Sequence, residues 1–205
     1  MSKQTPLRIA IFVSGGGTNM QAIIDAKEAG KIPYGELALV LASNPKAYAL
    51  TRAENHNIPS TVLRRKDYAS AAEYDDAILS VLREHKIDLV VLAGFLSIIG
   101  ETVIKAYPQR IINVHPSLIP SFCGDGFYGL KVHEAALEKG VKVTGATVHF
   151  VNEITDGGKI IAQKAVEVKE GDTPEILQRR VMEQAEWLLL PQAVADLSES
   201  LEPLY

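Results

Sequence analysis

The sequence predicts one α/β domain over residues 1–205: a Rossmann-like, mostly parallel sheet with flanking helices, completed by a C-terminal β-hairpin and a helix. Three observations carry that prediction. Apolar runs such as LRIAIFV (Leu7 to Val13) and LALVLA (Leu37 to Ala42) do not alternate strictly with polar residues, which marks strands covered on both faces. Stretches of helical periodicity separate these runs, so strands and helices alternate along the chain. Beyond Arg110 the grain changes. Two more alternating runs, KVTGATVHFV and KIIAQKAVEV, flank the turn-like NEITDGG, as expected of a hairpin at a sheet edge.

The elements follow in order. Leu7 to Val13 is the first buried strand, and Asn19 to Ala29 a helix closed by Gly30. Leu37 to Ala42 is the second strand, with a helix around Tyr48 to His56. A short strand at Thr61 to Leu63 precedes a helix from Ala71 to His85. DLVVLAGF is a strand running straight into a loop at Gly94, and RIINV is the fifth strand. The loop HPSLIPSFCGDGFYG follows, with two prolines and three glycines, a length that usually signals function. After a helix at Val132 to Glu138 come the two hairpin strands. The last helix starts after GDTP, with Asp172 or Thr173 as its cap and Pro174 in its first turn. No repeat, low-complexity tract or linker interrupts the pattern.

Composition narrows the function classes. The 205 residues are 47% hydrophobic and 22% charged with a net charge of -4, as in an ordinary globular domain. The one basic cluster, Arg64-Arg65-Lys66, is too short for a nucleic-acid groove, so no nucleic-acid partner is expected. No run approaches the roughly 20 apolar residues of a membrane span, and MSKQTPLR lacks the apolar core of a signal peptide. The single cysteine, Cys123, fits a reducing cytosol.

The stretch SGGGTN, where the first strand meets the first helix, has the form of a phosphate-holding loop. As a dinucleotide fingerprint it fails. Gly15 and Gly17 fit the first two glycine places, but Met20 takes the third, and the second strand ends in ASNPK without an acidic residue for a ribose. No Gly-Lys-Ser/Thr follows, so it is not a Walker A loop either. What remains is an anion site built from Gly16, Gly17, Thr18 and Asn19, beside the plainer possibility of a tight turn capped by Thr18 or Asn19.

Chemistry is expected where the fifth strand ends in INVHPSL, because ligands of open α/β sheets bind at the carboxyl ends of strands. Asn113 and His115 are two apart and share a face. An amide and an imidazole together suit a carbonyl oxygen that gains negative charge. A carboxylate would hold the histidine charged; Asp156 in the hairpin turn is the first candidate and Glu153 the second. His149 reads as a structural mid-strand histidine, and His133 as a residue of the site rim or the surface. A Cys123–His115 thiolate pair lacks an orienting third group. A zinc site from His115, His133, His149 and Asp156 lacks ligand spacing, so no metal is expected.

NVHPSLIPSFCGDGFYG, then VHEAALEKGVKVTGATVHFVNEITDGGKII, together with SGGGTNMQAI, resemble the folate-dependent formyltransferases over about Ile9 to Pro191. The resemblance implies the fold of that family and transfer of a formyl group from 10-formyltetrahydrofolate, as cosubstrate, to the amine of glycinamide ribonucleotide in purine synthesis. By position it implies that Asn113 and His115 polarise the formyl oxygen and that Asp156 pairs with His115 and helps move the amine proton. It implies that Gly17, Thr18 and Asn19 hold a 5′-phosphate, Glu186 the ribose hydroxyls, and Leu96, Ser97, Ile98 and Ile99 a pterin, largely through main chain. Four positions depart from the pattern: Ser97 for a frequent arginine, Ala71 for a frequent basic residue, Lys159 for a frequent proline and Trp187 for a frequent histidine. Siblings that act on tRNA or that hydrolyse the folate carry additional domains not expected here. The alternatives are a deformylase-type hydrolase and a non-catalytic nucleotide-binding domain.

Overall fold

Seven strands, β1 (Leu7–Val13), β2 (Gly35–Ala42), β3 (Ser60–Val62), β4 (Leu89–Leu92), β5 (Ile111–His115), β6 (Val143–Phe150) and β7 (Ile160–Glu167), form one sheet in the order β3-β2-β1-β4-β5-β6-β7. This computed structural model describes residues 5–205. The first five strands are parallel, and β6 and β7 join antiparallel at the edge beside β5. The unbroken apolar runs are central strands, as non-alternating sequences require. In β1, Ile9, Ile11 and Val13 enter one core layer while Ala10 and Phe12 enter the other.

Helices cover both faces. On the Ile9 side lie α1 (Thr18–Glu28), with Met20, Ile23 and Ile24 buried, α2 (Tyr48–Asn55), and a C-terminal helix contributing Leu190, Ala193 and Val194. On the Phe12 side lies α3 (Ala71–Glu84), whose Tyr74, Ile78, Leu79 and Leu82 recur at helical spacing. Ser70 caps it by accepting from the Glu73 N–H at 3.1 Å. The helix predicted around Val132 to Glu138 is α5 (Leu130–Lys139), ended by Gly140 in the left-handed region.

Two elements depart from the sequence expectation. A six-residue helix, α4 (Glu101–Ala106), follows β4; one and a half turns are too few to show a period. The terminal helix is three pieces: α6 (Pro174–Val181), a π-helical turn at Met182–Glu186, and α7 (Trp187–Ser200). Thr173, not Asp172, caps α6, accepting from the Ile176 N–H at 3.3 Å, while Asp172 pairs with Arg180. Pro191 lies inside α7. It offers no N–H to the carbonyl of Trp187 and crowds it, and the helix is wide in the turn just before.

Candidate active site

The strand order reverses between β1 and β4, so the loops leaving those strands diverge and open a crevice at their carboxyl ends. Pairing places Phe12 beside Leu92, Leu92 beside Asn113, and Asn113 beside His149, one row across the sheet. Every predicted site segment leaves the sheet just beyond this row or faces it from a neighbouring element.

At the end of β1 the glycine loop turns through Gly17, whose φ is 71°. That conformation favours glycine, and a Cβ there would sit 2.7 Å from the Ala49 Cβ. Gly17 is itself the helix N-cap and no side chain caps α1, contrary to the expectation that Thr18 or Asn19 does so. The first-turn N–H groups of α1 therefore have no intrahelical acceptor. Arg52 Nε donates to the Gly16 carbonyl at 2.9 Å, bringing a guanidinium beside the loop. Thr18 turns toward Met182. Asn19 Nδ2 donates to Glu186 Oε2 at 2.6 Å, so the π turn delivers Glu186 to the glycine loop. Burial pushes the Glu186 carboxyl up to about 7, although donation from Asn19 pulls the other way. Asn19 Oδ1 is buried with no partner, an acceptor that a ligand hydroxyl would satisfy.

Asn113, His115 and Asp156 do come together. Asn113 Nδ2 donates to Asp156 Oδ1 at 3.4 Å, and His115 Nδ1 lies 3.5 Å from Asp156 Oδ2. The turn that carries Asp156 holds it at φ 54° and closes with the Gly157 N–H donating to Ile154 at 2.9 Å. The Gly124 N–H, from the long loop, donates to Asp156 Oδ2 at 2.9 Å. Burial alone would raise the Asp156 carboxyl. Hydrogen bonding from His149, the Gly124 N–H and the charge of the two imidazoles outweigh burial and hold it below its ordinary value. Glu153, the second candidate, is exposed, and its charge acts on Lys105.

The sequence marks His149 as a structural mid-strand residue, yet it belongs to this group. Its Nε2 lies 3.5 Å from Asp156 Oδ1 and 3.2 Å from Asn113 Nδ2, and its Nδ1 is 2.8 Å from the Phe150 carbonyl. Its mid-strand position concealed this, because the antiparallel register that pairs it with Asn113 is not visible along the chain. His133 is fully buried, not at the rim or surface. Neither ring nitrogen has a partner, and burial, with His115 nearby, pushes it down to about 4. Cys123 donates to the Pro120 carbonyl at 3.3 Å, and burial and the neighbouring Asp156 push its thiol up, against a thiolate role. Among the described residues no group of three or more His, Cys, Asp or Glu side chains is arranged to hold a metal ion.

The predicted pterin segment leaves β4 beside this group. Leu96 and Ile98 are 68% and 88% exposed, whereas Ile99 is buried in the core with α3 and offers no side chain. The Leu96 N–H donates to Ser14 Oγ at 2.8 Å, so that main-chain donor is already engaged. Ser14 Oγ also lies 2.6 Å from Ser43 Oγ, and the Ser14 N–H donates to the Gly94 carbonyl at 3.1 Å. The Gly100 N–H donates to the buried Asp75 at 3.1 Å, which holds the end of the segment. Ser97 pairs with the Tyr74 hydroxyl.

A Rossmann-like sheet with a glycine loop and an amide–imidazole–carboxylate group at its carboxyl end carries the donors and the carboxylate that chemistry at a carbonyl carbon calls for. Residues 7–194 match the formyl transferase family, and the chain belongs to it. It is 41% identical over 174 residues to phosphoribosylglycinamide formyltransferase of Bacillus subtilis, covering 85% of this chain and 86% of that one. It is 42% identical over 188 residues to the chicken (Gallus gallus) trifunctional purine biosynthetic protein adenosine-3, of which it spans 18%. Against the chloroplastic phosphoribosylglycinamide formyltransferase of Arabidopsis thaliana, identity is 40% and the chain spans 60% of that protein. The crystal structure of phosphoribosylglycinamide formyltransferase from Bacillus halodurans superposes with a TM-score of 0.88 at 42% identity, covering 97% of this chain and 98% of that one.

Proposed function

We propose that this protein, working as one domain in the cytosol, transfers a formyl group from 10-formyltetrahydrofolate to the amine of 5′-phosphoribosylglycinamide, a step of purine synthesis. The observation that carries the proposal is the gathering of Asn113, His115 and Asp156 at the edge where the glycine loop and the exposed Leu96–Ile98 segment also lie. Leu96 and Ile98 are apolar side chains that a flat ring would cover, so the segment fits a pterin. Among the described residues no helix is long and apolar enough to cross a membrane.

When bound, 10-formyltetrahydrofolate supplies an activated formyl carbon. Asn113 and a protonated His115 donate toward its oxygen, where charge develops as the amine nitrogen attacks. Asn113 Nδ2 donates to Asp156 at 3.4 Å and lies 3.2 Å from His149 Nε2, weak contacts that a charged oxygen can displace. Asp156 faces His115 Nδ1 at 3.5 Å and takes the proton that leaves the amine. That proton passes to the folate nitrogen as its bond to the formyl carbon breaks, so the proton count closes. The glycine loop and Asn19 hold the phosphate, and Glu186 the ribose hydroxyls, which sets the amine at the formyl carbon. The test mixes the protein with both substrates and follows release of tetrahydrofolate. Ribonucleotide-dependent release is expected; release that ignores the ribonucleotide overturns the proposal in favour of hydrolysis.

A further inference from the structure

The long loop, residues 116–129, does more than border the site. His115 Nε2 lies 2.8 Å from the main-chain carbonyl of Phe122. A carbonyl only accepts, so Nε2 must carry a hydrogen. The other nitrogen, Nδ1, faces Asp156 Oδ2 at 3.5 Å, too far for a strong bond to fix it from that side.

Phe122 reaches this position at a cost. Its φ is 50°, a left-handed conformation that a bulky residue rarely adopts. Its surroundings hold it there. Ser117 Oγ donates to the Ser121 carbonyl at 2.6 Å, and the Ser121 N–H donates to the Leu118 carbonyl at 3.0 Å. The Ile119 N–H donates to Thr147 Oγ1 at 3.1 Å, and Thr147 Oγ1 donates to the Ser117 carbonyl at 2.7 Å, tying the loop to β6. The Phe122 and Phe127 rings meet edge to face, 6.4 Å apart. Two residues past Phe122, the Gly124 N–H donates to the same Asp156 oxygen that faces His115 Nδ1, and Thr155 Oγ1 donates to Asp125 at 2.9 Å. Two residues of one short stretch, Phe122 and Gly124, thus hold both members of the pair, a carbonyl on the imidazole and an N–H on the carboxylate. A strained conformation kept by so many contacts is a sign of function.

We propose that the Phe122 carbonyl is the positioning group for His115: it fixes the ring with Nε2–H on that carbonyl, so that Nδ1 alone is left to donate to the reacting atoms. Phe122 itself touches no substrate in this account; it acts through His115. The proposal rests on the functional reading for its kinetic consequence and is independent of it for the tautomer.

Nitrogen-15 NMR of histidine-labelled protein tests both parts, with the His115 signals assigned by their loss in His115→Asn. At a pH where the ring is neutral, wild-type His115 is expected to show a protonated Nε2 and a bare Nδ1. A bare Nε2 overturns the proposal outright and needs no variant. Phe122→Pro cannot take a φ of 50°, so its carbonyl must turn away, whereas Phe122→Gly takes that φ freely and keeps the carbonyl. Phe122→Pro is expected to mix the two tautomers and to lower kcat about a hundredfold, the scale of one general acid, with KM for the ribonucleotide within about threefold. Phe122→Gly is expected to keep the wild-type tautomer and a kcat within about fivefold. A wild-type tautomer and kcat in Phe122→Pro overturn the proposal, as does a tautomer that shifts equally in both variants. If the wild-type protein transfers no formyl group but shows the fixed tautomer, the functional reading fails and the positioning role stands.

Discussion

At the residue scale, the proposed transfer divides the work among three side chains. Removing the acid, His115→Ala, is expected to lower kcat by about a hundredfold or more while the ribonucleotide still binds; an equal loss of binding would mean that the ring holds substrate instead. Asp156→Asn should do the same, because an amide keeps the shape but neither takes a proton nor stabilises a charged imidazole. Asn19→Ala is expected to raise KM for the ribonucleotide about tenfold, one lost hydrogen bond to a charged group, and to leave KM for the folate unchanged. An equal rise in both would contradict its assignment. Asn113 and His115 were legible in the sequence because a strand's two-residue period puts both on one face. His149 was not, because its place depends on an antiparallel register between strands 36 residues apart. Ile99 is expected to meet a pterin largely through main chain, and the fold commits its side chain to the core.

At the element scale, the parallel strands were legible almost to the residue, since burial on both faces leaves an unbroken apolar run; Leu7–Val13 coincides with its expected span. The π turn left no comparable mark. Its five residues, MEQAE, read as ordinary helix, and only packing of Glu186 against Asn19 shows what the wider turn accomplishes. The Asp156 turn depends on close backbone approach. A Cβ on Gly158 would run into the Phe150 carbonyl oxygen, so Gly158→Ala must displace the turn. That variant is expected to fold, to lose kcat at least about tenfold and to bind the ribonucleotide normally, as read by steady-state kinetics and ligand titration; unchanged kcat would show that the turn tolerates the shift.

At the scale of the whole molecule, two buried ionisable groups pull stability in opposite directions with pH. His133 is held neutral, near 4 against an ordinary 6.5, so its contribution is complete above about 6.5 and is lost as pH falls toward 4, in all about 3 kcal/mol. Glu186 is raised to about 7, so the folded state binds its proton more tightly than the unfolded chain. Its contribution is complete below about 4.5 and is lost as pH rises through 7. Thermal denaturation across pH 4 to 8 is expected to show Glu186→Gln gaining on the wild type as pH rises through this second window. A constant difference between the two would mean that the carboxyl is not raised.

Ser14 links the glycine loop to the segment after β4. One hydroxyl is shared by the end of β1, the Leu96 N–H and Ser43, so the two loops proposed to hold the two substrates are bolted to a common pin. A change at Ser14 itself, unlike one at Asn19, would therefore shift both loops together, and a lineage that altered this one hydroxyl would have to readjust donor and acceptor at once.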